Sequence, residues 1–141
     1  MKEEMRKYKS QIILFVVVLL FFYFSPFIKR PFKDLRLSEV ESILVYAIPP
    51  GESVLVQDEE RLEAIINALK ETKTFIRAFL IIPRAGQGVE YSINFKDGRT
   101  INIHLYSPMI GINHSRFYAT IEPLGKLGKL ANTILGTRLG D

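Results

Sequence analysis

The chain has 141 residues, 19 of them basic and 15 acidic, for a formal charge of +4, and it has no cysteine. A disulfide framework, a thiolate nucleophile, a thiolate metal site and a lipidated cysteine are therefore excluded. The basic excess sits at two places: residues 1–10 hold four basic against two acidic side chains and residues 29–36 four against one, while residues 37–141 hold eleven against twelve. The bulk of the chain has no basic stripe, so no nucleic-acid partner is expected.

The first ten residues form a charged tail. Ile12 to Phe24 is then an unbroken apolar and aromatic run, which Phe27 and Ile28 extend past Ser25-Pro26. At about 1.5 Å per residue the seventeen residues from Ile12 to Ile28 would reach roughly 25–27 Å, the low end of what crosses a hydrocarbon core of about 30 Å. A buried core helix would show a polar stripe, and this run has none. A cleaved signal peptide would need small residues before the cut, and FYFSPFIKR has no such site. The run thus predicts an uncleaved transmembrane helix over residues 11–28, a signal-anchor. The flanks are balanced, with Lys2, Arg6, Lys7 and Lys9 before it and Lys29, Arg30, Lys33 and Arg36 after it. The short tail and its α-amino group favour the N-terminus inside and the C-terminal domain outside. The basic flanks would meet anionic headgroups, making membrane lipid an expected partner.

Residues 29–36 read as a basic juxtamembrane connector, and residues 37–141 as one small domain. Val40–Ile48 predicts a strand, Pro49-Pro50-Gly51-Glu52 a turn, and Ser53–Gln57 a second strand paired with the first. Asp58 is placed to cap a helix over Glu59–Glu71, with Leu62, Ile65, Ile66 and Leu69 on one face. Thr74–Ile82 predicts a buried strand, followed by a loop through Arg84-Ala85-Gly86-Gln87-Gly88. That loop could cradle a phosphate, but no helix N-terminus follows it.

Val89, Tyr91, Ile93 and Phe95 alternate with polar residues, as do Ile101, Ile103 and Leu105. A two-residue Asp-Gly turn would set apolar opposite polar positions. A three-residue loop, Lys96-Asp97-Gly98, pairs Ile93 with Ile101 and Tyr91 with Ile103. The polar face then pairs Asn94 with Thr100, Ser92 with Asn102 and Glu90 with His104. Ser107–Arg116 reads as a loop, Phe117–Ile121 as a last strand, and a final helix starts at Pro123 and ends at Gly136. The expected order is β-β-α-β-β-β-β-α behind a transmembrane helix: an α+β fold with an antiparallel sheet and helices packed on one face.

No phosphate-binding, dinucleotide, zinc-protease, nucleophile-elbow or calcium-loop motif occurs. Asn113-His114-Ser115 matches a glycosylation tripeptide, one chance match in a chain of this length. The sharpest candidates are Glu90, Ser92, Asn94, Asn102 and His104 on the polar face. A histidine–carboxylate pair can move protons, but the plainer reading of this pair, and the one favoured, is an exposed cross-strand contact on the wet face of the sheet. His114, the other histidine, falls on a loop distant from it. No metal or other cofactor is expected.

The tail and apolar run, VESILVY, the DEERLEAIINAL helix, the YSINFKDG hairpin and the closing FYATIEPLGKL together resemble the small uncharacterised envelope proteins of Gram-positive bacteria. That resemblance implies a bacterial envelope setting and carries no activity or functional residue. The leading expectation is a non-enzymatic, membrane-anchored extracytoplasmic domain that binds another envelope or membrane protein. The alternatives are an accessory or regulatory subunit of a larger membrane complex acting through its transmembrane helix, and an envelope hydrolase using Glu90 and His104.

Overall fold

A computed structural model describes residues 2–23, 28–48, 51–78 and 88–136. Helix α1 (Lys2–Tyr23) comes first. Strands β1 (Val40–Ile48) and β2 (Glu52–Val56), helix α2 (Glu59–Glu71), strands β3 (Thr74–Arg77), β4 (Gly88–Phe95), β5 (Thr100–Tyr106), β6 (Met109–Ile112) and β7 (Ser115–Ala119), and helix α3 (Ile121–Leu135) follow. The strands make one antiparallel seven-stranded sheet in the order β2-β1-β4-β5-β6-β7-β3. The fold is α+β.

The transmembrane helix expected over residues 11–28 is corrected. No described helix is long and apolar enough to cross a membrane. Helix α1 spends its first two and a half turns on Lys2–Ser10, which carry six charged side chains. Its apolar part runs only from Ile12 to Tyr23, twelve residues, or about 18 Å against a hydrocarbon core of about 30 Å. The sequence reading reached its longer span by adding Phe24–Phe27, which lie outside the described residues. The signal-anchor, and the single-pass localisation with the domain outside, lose their support with it.

Alternation builds the core. Ile43, Val45 and Ala47 of β1 share a face with Val89, Tyr91 and Ile93 of β4 and Ile103 and Leu105 of β5, and all are buried. Leu62, Ile65, Ile66 and Leu69 of α2 and Leu124, Leu127 and Ala131 of α3 close over that face. The i, i+3, i+4 spacing of these residues gives each helix one apolar stripe. The Asp58 carboxylate accepts the Arg61 N–H at 3.1 Å, capping α2 where its dipole is positive. Helix α3 starts at Ile121, two residues before the predicted Pro123. Thr120 is drawn back to the α2–β3 turn, its hydroxyl accepting from the Lys73 N–H at 3.2 Å and its N–H donating to the Lys73 carbonyl at 3.0 Å. Pro123 still falls in the first helical turn, where its missing N–H costs nothing. Gly136, with φ of 67°, ends the helix in the left-handed region that glycine enters freely. Between the layers the buried Tyr91 hydroxyl donates to the Leu127 carbonyl. Burial pushes this phenol well above the ordinary tyrosine range, with the Ala131 backbone pulling weakly the other way.

Four further expectations change. Strand β2 lies one residue earlier than predicted. The segment taken as the basic connector is woven into the domain: Phe32 and Leu35 are buried in the core, and Lys29 exchanges two 2.8 Å backbone hydrogen bonds with Thr74. Strand β3 ends at Arg77 and is an edge with Phe75, Ile76 and Arg77 exposed; Ala78 is outside the strand, and Phe79–Ile82 of the predicted strand and most of the Arg84–Gly88 loop lie outside the described residues. Finally, the predicted Ser107–Arg116 loop contains β6 and the start of β7. A cis Ser107-Pro108 bond and Asn113 (φ 52°) stand at its two turns.

Candidate functional site: the open face of the sheet

Because both helices cover one face, the other is left open. Its side chains are those at the alternate positions: Ser42, Leu44 and Tyr46 on β1, Glu90, Ser92 and Asn94 on β4, and Thr100, Asn102, His104 and Tyr106 on β5. The structure has the cross-strand register that parity requires: Glu90 opposite His104, Ser92 opposite Asn102, Asn94 opposite Thr100. The three-residue loop is also present, with Gly98 at φ 88°. All five polar-face candidates therefore lie together.

They are bonded to one another. The Ser92 hydroxyl donates to Asn102 Oδ1 at 2.8 Å, the Asn94 amide to the Ser42 hydroxyl at 3.1 Å, and the Thr100 hydroxyl to Asn94 Oδ1 at 3.1 Å. Glu90 Oε2 lies 3.5 Å from His104 Nδ1, each side chain about one-third exposed. The ladder fixes rotamers on a surface where loose polar side chains would otherwise sample several.

Strand β6 changes what surrounds His104. It sets Gly111 beside His104 and, beyond it, Arg116 of β7 beside Gly111. The row Glu90–His104–Gly111–Arg116 thus crosses four adjacent strands. Gly111 leaves a gap in that row. A Cβ there would stand 3.3 Å from His104 Cβ and 3.5 Å from its Cδ2. The imidazole therefore leans over the glycine with its Cδ2 edge, and its Nδ1 edge faces Glu90 on the opposite side. The depression over Gly111, of about 290 Å³, is lined by His104, Tyr106, Asn113, His114 and Arg116.

His114, placed by the sequence on a distant loop, is thus brought to the same corner as His104. The β6–β7 turn does this, with Asn113 bonded back to β5: its N–H donates to the Asn102 carbonyl at 2.7 Å, and its Oδ1 accepts the Asn102 N–H at 3.0 Å. Tyr106 steadies the opposite wall. Its ring is stacked on His104 at 6.4 Å between centroids, and the Arg116 guanidinium lies 6.0 Å from its centroid. Tyr106, Gly111, Asn113, His114 and Arg116 were missed as site residues because β6 was missed. The signal was present in Ile110 and Ile112, which alternate about Gly111 in step with Phe117 and Ala119.

Among the described residues no group of three or more histidine or acidic side chains could hold a metal. No protein-family model, curated protein or solved structure matches the chain.

Proposed function

We propose that this protein is a non-catalytic interaction domain that binds a partner protein through the open face of its sheet. The observation that carries this reading is the composition of that face. Between Ser42 and Ile48 of β1, and along β4 and β5, it presents one carboxylate, Glu90, and one histidine, His104. Every other position is a hydroxyl, an amide, a glycine, an aliphatic group or a tyrosine. A face selected only for solvation would carry lysine and glutamate; aromatic residues with few charges are what interface centres carry. The half-buried Leu44 and Tyr46, with exposed Leu55 on the neighbouring β2, continue the surface as an apolar flank.

A second reading follows from α1. Its apolar residues from Ile12 to Leu20 are exposed on every side of the helix, and apolar surface of that extent marks a contact site. In this reading the protein is an accessory subunit whose α1 packs against apolar helices of a larger complex.

A photo-crosslinking residue at Ser92 and another at Phe15, each in the full chain in cells, separate the two. The open-face reading expects a discrete adduct from Ser92 that Asn102→Arg abolishes. Adducts from Phe15 alone would overturn it and favour the accessory subunit.

A further inference from the structure

We infer that the glycine-floored depression at the β5–β6–β7 corner is a carboxylate-binding subsite, which takes an acidic side chain or C-terminus of the partner. The inference rests on the open-face reading and adds the chemistry of one contact. Three features support it.

The first is charge. Arg116 is exposed and forms no ion pair among the described residues, and His104 and His114 stand with it around the same depression. The carboxylate of the row, Glu90, lies behind His104 on the Nδ1 side, separated from Arg116 by two strands. Strands are roughly 4.8 Å apart, so Glu90 does not neutralise the guanidinium. The Arg116 guanidinium therefore makes this corner the cationic end of a face whose β4 and β5 positions carry Glu90 as their one fixed charge, with the two imidazoles as hydrogen-bonding groups beside it.

The second is access. Gly111 is buried beneath His104, and its missing side chain lets the imidazole settle against β6, with the depression open beside Arg116. A side chain at position 111 would press on His104 Cβ and Cδ2 and displace the ring. With Nδ1 toward Glu90 and Cδ2 over Gly111, the His104 Nε2, bonded to Cδ2, is on the ring edge that borders the depression.

The third is preorganisation. Tyr106 contacts both the His104 ring and the Arg116 guanidinium, so two groups of the subsite are positioned by one aromatic plate. Asn113 is held by its two bonds to Asn102. A planar guanidinium fork matches the two oxygens of a carboxylate, and groups held in place before binding lose less entropy on binding.

The test is a titration of the full chain with N-acetylglutamate amide, with its neutral analogue N-acetylglutamine amide, and with inorganic phosphate at matched ionic strength. The readouts are the backbone amide resonance of Gly111 and the ring C–H resonances of His104 and His114. The expected result is a saturating shift with the glutamate compound and none with the glutamine compound. Arg116→Gln should weaken binding roughly tenfold or more, about 1.4 kcal/mol, with Arg116→Lys falling between. Arg116 is exposed, so neither variant endangers the fold. Unchanged affinity in Arg116→Gln, no saturation with the glutamate compound, or saturation with phosphate alone would each overturn the inference. A Ser92 adduct that survives Arg116→Gln while the titration fails removes only this subsite. Loss of the Ser92 adduct in the unmodified chain removes the open-face reading itself.

Discussion

At the scale of single residues, the β4–β5 turn shows how a local charge fixes a loop. Asp97 accepts the Arg99 backbone N–H at 3.0 Å on one oxygen and the Arg99 side-chain Nε at 2.6 Å on the other. The backbone bond first, and the side-chain bond second, hold its carboxyl below the ordinary aspartate range. A carboxyl lowered in the folded state contributes stability above its unfolded value and loses it as pH falls through the folded value. Folding stability in acid should therefore decline less steeply in Asp97→Asn than in the unmodified chain, the two curves keeping a constant offset above the normal aspartate range and converging as pH falls through and below it. Urea unfolding at a series of pH values checks this; parallel curves would show that the turn does not need the carboxylate.

At the scale of elements, the segment between α1 and β1 has the composition of a tether and the packing of a structural part. Lys29, Arg30, Lys33 and Arg36 face outward, and Phe32 and Leu35 point into the core. The Arg30 guanidinium donates to the Lys70 carbonyl at the end of α2. The Lys29–Thr74 bridge covers part of the outer edge of β3, an edge that would otherwise present unpaired backbone groups. Phe32→Ala should cost about 3–5 kcal/mol, the range for emptying a buried phenylalanine site, measured by chemical denaturation. A loss below about 0.5 kcal/mol, the scale of surface substitutions, would mean the segment is only a connector.

At the scale of the molecule, α1 and the sheet domain are built on different terms. The domain buries its apolar side chains between two layers, while α1 leaves Ile12, Leu14, Phe15 and Val17 more than half exposed. Its stability therefore owes little to the sheet. A chain beginning at Ile28, which keeps the Lys29–Thr74 bridge and Phe32, should unfold within about 0.5 kcal/mol of the full chain. A drop of several kcal/mol on removing α1 would show that the helix supports the domain.

The sequence by itself determined what rests on local periodicity and parity. Asp58 and the Leu62–Leu69 spacing set α2 to the residue, and the odd loop at Lys96-Asp97-Gly98 set the β4–β5 register and with it the grouping of Glu90, Ser92, Asn94, Asn102 and His104. These features depend on contacts between near neighbours, so near neighbours reveal them. Tertiary structure alone decided the rest. Pro108 and Gly111 look like strand breakers, but Gly111 is in a strand because β6 pairs with β5 on one side and β7 on the other, and the nearby His104 side chain leaves no room for a Cβ there. Phe32 belongs to the core because α2 and the sheet leave a place for it, which no reading of residues 29–36 could show. The apolar run after Gln11 suggested a span by its composition, yet the described helix gives its first turns to charged residues and its apolar turns are too few to cross a bilayer. The depression joining His104, His114 and Arg116 exists only once β6 pairs with both its neighbours, since it is long-range pairing that brings side chains from three strands to one corner.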